Sequence, residues 1–469
     1  MTNTAAEQCL NAYILTFNCA RNLIPTDRFA THLFDALPPS HGTTAPEILA
    51  LSLQEVAPIY YAFLGGSFLV PYLSAFQKAV EIATRTRWPT SSEGGYVNVV
   101  THHCGLTALM VFVRSDIADN IAWTDTAEVG VGLQEMGNKG AVGTRLGYAL
   151  DNNETLELTF VAAHIAPMEH AYERRNRDWR RIVERLVFTK SGDNGDEEGE
   201  EQEDDTAHLL QRNRRIVESG IFSPRSHLFF AGDLNYRTSD IPPIPEDHAR
   251  YPQPHDTPDD ASHHSKLFQN DQLTRELRAK RTLHGLTEAP ITFPPTYKYS
   301  DEARKAALFE EQTQDGPGDT WKWATRRWPS WCDRILYLEY PPWMSATTKK
   351  GGKSRIQVQG YNALPLLPTS DHRAVALAVS VPLRPITPPP SQIEGVDDAR
   401  LHPPFPIDPS WKARRENARV KEVVVGGLAY LALTWEGNGI LLATMAGILG
   451  GWIVLRSLLQ GEVSGGLLL

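Results

Sequence analysis

The segment "HLFFAGDLNYR" (227–237) closes an apolar, strand-like run with Gly and then places Asp233 and Asn235 two residues apart. In extended backbone successive side chains alternate faces, so the carboxylate and the amide are expected side by side while Leu234 turns back into the core. The same residues are turn formers, and an Asx-turn closing a strand accounts for them without chemistry. More polar residues stand at the ends of apolar runs: Asn18 in "FNCARN", Glu55 in "LSLQEV", His164 in "VAAHI", and Asp371 with His372 in "SDHRAV". Taken singly, His164 reads as a hydrogen-bonded core histidine and Asp371 as a cap or turn residue. Glu55 is harder to explain that way, because a carboxylate ending an apolar strand is costly to bury unless it is paired or metal-bound. Together these residues make a hard-oxygen set with an imidazole beside it. Mg²⁺ takes such sites, using one or two carboxylates and completing its octahedron with water and substrate phosphate.

Positioning such a set requires strands whose ends converge at one edge of a layered sheet. Short β-branched or apolar runs predict strands over 12–18, 48–56, 106–114, 155–165, 227–235, 334–340 and 374–383. Helical patterns lie between them at 58–85, 167–188, 206–219 and 271–281, the last with an Asp at its start and a basic end that suit the helix dipole. The mixture predicts one α/β (α+β) domain over 8–383, two β-sheets packed as a sandwich inside and helices outside.

At 469 residues the chain is long enough for a sizeable core, and its 41% apolar and 22% charged residues are ordinary for a folded protein. The net charge of -10 gives no general attraction to nucleic acid. Four sparse cysteines without CxxC spacing argue against a disulfide framework and a structural zinc site, and fit a reduced, cytosol-facing compartment. The N-terminus lacks the basic and apolar regions of a secretory signal. The acidic run 191–205 predicts a disordered loop, the Pro-, Asp- and His-rich segment 239–265 a solvated one without regular ligand spacing, and 347–355 a basic hairpin tip. Residues 384–421 read as a Pro-rich and then basic linker. Beyond it, 422–460 is strongly apolar and reads as a membrane anchor. Its run 440–455 with flanking residues is about one bilayer crossing; 423–435 is too short to span comfortably, so "WEGNG" turns a hairpin or the first run lies at the interface. A buried C-terminal helix pair is the alternative; with no apolar run of this length before it, the expectation is a tail-anchored chain, and the basic flank also predicts that the folded body faces the cytosol. Truncation after Ser410 is then expected to release a soluble, active body.

The ordered set "TFNCARN", "LSLQEVAP", "EMGNKGAVGTRL", "FVAAHIAP", "FFAGDLNYR", "FPPTYKY", "WPSWCDRILY" and "TSDHRAV" resembles the inositol polyphosphate 5-phosphatase family, within the magnesium-dependent superfamily that also holds DNase I-like nucleases. The resemblance covers 12 to about 380; "GDLNYR" with "PSWCDRIL" is specific, whereas "SDH" is common to the superfamily. It implies that Glu55 is the principal Mg²⁺ ligand with Asn18 in the metal and phosphate network. It implies further that Asp233 positions the attacking water, that Asn235, His164 and His372 hydrogen-bond the phosphoryl oxygens, that Asp333 orients His372, and that Asp371 sits near the metal-bound water. "GNKG" (137–140) is expected both to turn a hairpin, Asn between glycines suiting positive φ, and to present Asn138 and Lys139 to a phosphate. Tyr297, Lys298 and Arg327 are implied to grip the phosphate adjacent to the scissile one. The chain departs from the family at Thr325, where a basic residue is common; Arg326 or Lys322 can compensate. The implied activity is hydrolysis of the 5-phosphate of phosphatidylinositol 4,5-bisphosphate by a fungal-type, tail-anchored enzyme, with the endoplasmic reticulum as the expected membrane. A soluble inositol polyphosphate substrate is the alternative, with a nuclease or an inactive membrane tether as rivals.

Overall fold

The computed structural model describes residues 8–38, 44–89, 95–151, 154–190, 219–309, 320–345, 355–387 and 397–465. Its core is two stacked β-sheets. The first has six strands: β1 (Cys9–Asn18), β2 (Ile48–Gln54), β3 (Tyr96–Cys104), β4 (Thr107–Arg114), β12 (Gln357–Ala363) and β13 (Val375–Pro382), in the order β12-β13-β1-β2-β4-β3. The second has seven: β5 (Ile121–Gly130), β6 (Gly140–Ala149), β7 (Thr155–His164), β8 (Thr189–Lys190), β9 (Ser226–Asp233), β10 (Leu286–Glu288) and β11 (Asp333–Leu338), in the order β10-β11-β9-β7-β6-β5-β8.

The central strands, among them β2, β4, β9, β11 and β13, are buried along their whole length because both of their faces are covered, whereas β3, β5 and β12 stay partly exposed. Ile14, Ala50, Val111 and Val379 from the first sheet meet Phe160, Ala162, Phe229 and Ile335 from the second in the layer between them. On the outer side of the first sheet, Tyr13, Leu15 and Leu51 pack with Phe29 of helix α1 (Thr26–His32) and Phe76 of helix α3 (Val70–Arg87). Outside the second, Val161, Phe230 and Leu336 pack with Trp179 and Ile182 of helix α4 (Tyr172–Arg185). The predicted sandwich flanked by helices is thus the fold.

All seven predicted strands form, and the structure adds β3, β5, β6, β8, β10 and β12. Strand β6, "GAVGTRLGYA", escaped notice because glycines interrupt its apolar run. Packing explains them: a Cβ at Gly143 would sit 2.7 Å from Phe188 Cζ, and one at Gly147 2.3 Å from Trp123 Nε1. The helical pattern 58–85 is two helices, α2 (Ile59–Leu64) and α3, separated at Gly65 and Gly66, whose φ of 72° and 58° take the chain out of the helical region. The pattern at 271–281 is a helix over Gln272–Arg278, with Asp271 as N-cap accepting the Thr274 N–H at 2.8 Å. The expectations for 191–205, for 206–218 and for most of 347–355 fall outside the described residues.

The C-terminal region departs from the linker reading. Arg400 is buried and donates to the Ser226 and Glu339 carbonyls, and the Asp408 N–H donates to the Glu184 carbonyl. Residues 411–421, read as linker, begin a helix over Trp411–Leu433, here called the neck helix, that packs on α2 and on the end of β5. The chain breaks at Thr434, whose hydroxyl accepts the Gly437 N–H at 2.9 Å, and continues as a tail helix over Trp435–Gly465. "WEGNG" is therefore helical, not a hairpin turn. Within the tail helix, Trp435–Leu459 is 25 residues long and apolar enough to cross a membrane by length and composition, and none of it is buried against the body.

Candidate active site

Strand registers assemble the site. β1 and β2 run parallel with Asn18 opposite Gln54, so Glu55 projects just beyond the same sheet edge as Asn18. β7 and β9 also run parallel, with His164 opposite Asp233, and antiparallel β11 sets Asp333 opposite Asp233. Antiparallel β6 sets Gly140 opposite His164, which brings Lys139 to that edge, and His372 precedes β13 beside β1. Side chains at matching register share a face, so residues scattered over more than three hundred positions meet.

Asp233 lies at the centre, 1% exposed. Its Oδ2 accepts from Asn18 Nδ2 at 2.9 Å and lies 3.2 Å from His164 Nε2 and 4.0 Å from His372 Nε2; its Oδ1 accepts the Asn235 N–H at 3.1 Å. The last bond is an Asx-turn, so the turn reading holds for this residue at the same time as its place among the other site side chains. The extended-strand argument for Asn235 is corrected: β9 ends at Asp233 and Asn235 has φ 55°, a left-handed conformation. Its side chain donates to the Ile165 carbonyl at 3.1 Å and accepts from Arg237, which leaves one amide hydrogen for a ligand. Glu55 is likewise left-handed, at φ 47°. Non-glycine residues in this region are strained by about 1 kcal/mol or more, and such strain gathers at functional sites.

The charge states are set by mutual contact. His372 Nδ1 donates to Asp333 Oδ2 at 3.0 Å, an oxygen that also accepts from Thr296 at 2.7 Å. Burial opposes a charged ring, yet Asp333 and Asp233 outweigh it and raise His372 to about 9. Burial likewise opposes ionisation of Asp233, but the His372 charge and the His164 hydrogen bond hold its carboxyl well below the usual range. For Asp333 burial prevails and pushes the carboxyl up. Burial and then the neighbouring Lys139 push His164 down. Lys139 Nζ touches His164 Nε2 and stands 3.6 Å from Glu55 Oε1, while Arg21 Nε donates to Glu55 Oε2 at 2.9 Å. Burial works against the Glu55 charge, and His164, Lys139 and Arg21 more than offset it, lowering its pKa.

Among the described residues, Asp233, Asp333 and His372 form a group with one donor atom each within 4.8 Å of one another, close enough for a metal. Two of its members already bond one another, His372 Nδ1 donating to Asp333 Oδ2. Glu55 suits a divalent cation better: it is ionised, 18% exposed at its side chain, and its oxygens meet cationic partners, with the Asn18 amide oxygen offering a second hard donor. Glu55, with the Asn18 amide oxygen, therefore offers the hard oxygen donors that suit a divalent cation.

Beside this centre, Tyr297, Lys298, Thr325, Arg326 and Arg327 line a cleft of about 550 Å³. Tyr297 packs its ring 4.4 Å from that of His372 and under the Arg237 guanidinium. Lys298 pairs with Asp371 at 2.7 Å, and Arg327 lies 3.8 Å from Glu169. Of the two compensating cations expected near Thr325, Arg326 is the one at the cleft. The positive φ expected of Asn138 is corrected: the left-handed residues of the loop are Gln134 and Glu135, and the Asn138 side-chain oxygen accepts the Leu133 N–H at 3.1 Å. Sequence reasoning missed Arg21, Arg237, Thr296 and Ser370. Ser370 donates to the Asn18 carbonyl at 2.6 Å and accepts the His372 N–H at 3.0 Å, tying two site strands together. Arg21, Arg237 and Ser370 sit inside motifs already singled out, "FNCARN", "GDLNYR" and "TSDHRAV", and their place there is the signal that was available.

The chain is 27% identical over 352 residues to the type II inositol 1,4,5-trisphosphate 5-phosphatase of Mus musculus, covering 74% of this chain and 28% of that protein. It is 27% identical over 382 residues to the type II inositol polyphosphate 5-phosphatase 15 of Arabidopsis thaliana, covering 78% and 31%. The chain thus spans about a third of the length of these relatives. Its fold matches the inositol polyphosphate 5-phosphatase domain of a synaptojanin, solved with inositol (1,4)-bisphosphate and calcium, at a TM-score of 0.53 and 22% identity, covering 89% of this chain and 91% of that one. Residues 15–378, from β1 to β13 and so including every site residue above, match the model of endonuclease/exonuclease/phosphatase family 2, and the chain belongs to that family.

Proposed function

We propose that the protein hydrolyses the 5-phosphate of phosphatidylinositol 4,5-bisphosphate to give phosphatidylinositol 4-phosphate at a membrane surface, using Mg²⁺. One observation carries the reading: an ionised Asp233 lies between His164 and a protonated His372, with Glu55 and Lys139 beside them, and Tyr297, packed on the His372 ring, lines an adjacent cleft bearing Lys298 and Arg327. The names of the relatives support an inositol phosphate substrate. The apolar tail helix supports a bilayer as its location, for which the endoplasmic reticulum with the body in the cytosol remains our assignment.

In-line hydrolysis of a phosphate monoester needs mainly positioning and charge stabilisation. Glu55 and Asn18 would hold Mg²⁺, which when bound would supply positive charge to the site. Asp233, fixed by Asn18 and the Asn235 N–H, orients the attacking water and accepts its hydrogen bond. Asp333 accepts the Nδ1–H of His372, so the Nε2–H points toward the reacting phosphate. His164, Lys139 and the free Asn235 amide hydrogen supply further donors. Water gives its hydroxyl to phosphorus and a proton to the departing ring oxygen, leaving inorganic phosphate and a free 5-hydroxyl. Lys298 and Arg327 meet the neighbouring 4-phosphate, with Asp371 holding Lys298 in place.

The test is phosphate release by the purified chain from phosphatidylinositol 4,5-bisphosphate vesicles and from soluble inositol 1,4,5-trisphosphate, with duplex DNA cleavage run beside it, each with Mg²⁺ and with chelator. Release from the lipid that stops with chelator is expected. Greater efficiency on the soluble substrate would move the assignment to inositol polyphosphates, and DNA cleavage without phosphate release would replace it with a nuclease.

A further inference from the structure

The neck helix reaches into the catalytic machinery from the C-terminal side. Glu422 is fully buried, and its Oε1 accepts the backbone N–H of Gly137 at 2.7 Å. Gly137 lies two residues before Lys139, the cation that touches Glu55 and His164. Its carbonyl is held as well, accepting the Leu106 N–H at 2.9 Å, and the neighbouring Gly105 at φ 53° allows that approach: a Cβ there would sit 2.3 Å from the Gly137 oxygen. The Gly137 peptide is therefore clamped between the β3–β4 turn and the neck helix. Glu422 is itself fixed by Arg415 at 2.7 Å and Arg419 at 3.4 Å, and Arg415 also reaches Glu128 of β5 at 2.6 Å.

A second contact touches the other side of the site. Arg419 donates to the Phe63 carbonyl at 2.6 Å and the Leu64 carbonyl at 3.1 Å, satisfying the C-terminus of α2, the helix that begins just after Glu55. Gly426 lets the two helices touch, since a Cβ there would lie 2.9 Å from Phe63 Cβ. Fully buried carboxylates are rare unless paired, and this one spends a charge-assisted bond on the loop that carries Lys139.

We propose that Glu422 is a positioning residue for the Gly137–Lys139 loop, so that the helix leading to the apolar tail is a working part of the phosphatase site and not a tether. The inference rests on the phosphatase reading above. It goes beyond it by making turnover in the body depend on how the segment next to the tail is seated. A pull or tilt on the tail helix would reach Lys139 through one buried carboxylate.

The experiment uses the full chain and its Glu422→Ala and Glu422→Gln variants. It reads kcat and KM on soluble inositol 1,4,5-trisphosphate, where lipid attachment plays no part, and amide hydrogen exchange over 131–139. Glu422→Ala is expected to lower kcat about tenfold or more with KM within about threefold, and to speed exchange in the loop. Glu422→Gln, which keeps the acceptor oxygen, should recover most of the loss. If Glu422→Ala does not fold, Arg415→Leu with Glu422→Leu removes both charges together and takes its place. Unchanged kcat, or a loss of kcat with loop exchange as in wild type, would overturn the inference. A wild-type chain with no phosphatase activity would instead sink the proposed reaction, and the exchange comparison would still decide the contact between Glu422 and the loop.

Discussion

Asp233 and His372 are buried yet held by side-chain and backbone partners rather than by packing, so replacing them should cost activity before it costs the fold. Asp233→Asn and His372→Ala are each expected to lower kcat by about a hundredfold or more, with circular dichroism unchanged. Near-wild-type turnover by either folded variant in Mg²⁺ would refute the site. The elevated pKa of His372 also makes a prediction about pH. Its value rises on folding from 6.5 to about 9, so the ionic contact with Asp333 stabilises the fold fully below about pH 6.5 and is lost as pH climbs through about 9. The urea midpoint of wild type should therefore fall toward that of His372→Gln between about pH 7 and about pH 10; a constant gap would show that the ring is not charged. Arg327 bears on selectivity. Arg327→Ala should cut kcat/KM on the 4,5-bisphosphate about tenfold or more and change it little on a lipid lacking the 4-phosphate. Equal losses would place Arg327 on the scissile phosphate or in the fold.

Elements hold these residues by a few buried polar anchors. Asp271 caps the helix Gln272–Arg278 and also accepts from Arg334 of β11 at 3.1 Å, where both side chains are about 1% exposed or less. Asp271→Ala removes the cap and leaves the guanidinium with Glu288 as its remaining acidic partner. A loss of about 3 kcal/mol or more in denaturant-derived stability is expected. A change below about 1 kcal/mol would mean that Glu288 alone compensates Arg334.

Across the whole molecule, the position of the break at Thr434 separates two roles that the sequence merges. Truncation after Thr434 removes the apolar span and keeps Glu422; the shortened chain should leave the membrane fraction and keep kcat on soluble substrate within about threefold. Truncation after Ser410, expected from sequence alone to leave an active body, removes Glu422 and Arg419 from the Gly137 loop and from α2, and should lower kcat about tenfold or more. Retention of the Thr434 truncation on membranes after a high-salt wash would show that the tail helix is not what holds the chain there.

Period and composition determined seven of the strands, because covered β-branched runs leave an unbroken apolar signal. Motif chemistry alone singled out Asn18, Glu55, His164, Asp233 and His372, because a polar side chain at the end of such a run costs free energy unless a partner or a ligand meets it. The glycine-broken strand β6 was illegible, since Gly143 and Gly147 are dictated by Phe188 and Trp123, which come from elsewhere in the chain. The left-handed turn at Glu55 was illegible for a similar reason: strain at a residue type that ordinarily avoids positive φ is held by surrounding contacts, not by local preference. Tertiary structure also decided that the Asn138 side-chain oxygen serves its own loop, that His372 stands between Asp333 and Asp233, and that a basic stretch resembling a linker folds back as a helix. Each depends on which groups meet across strand registers and buried surfaces, where burial turns a weak surface charge into a strong and selective contact.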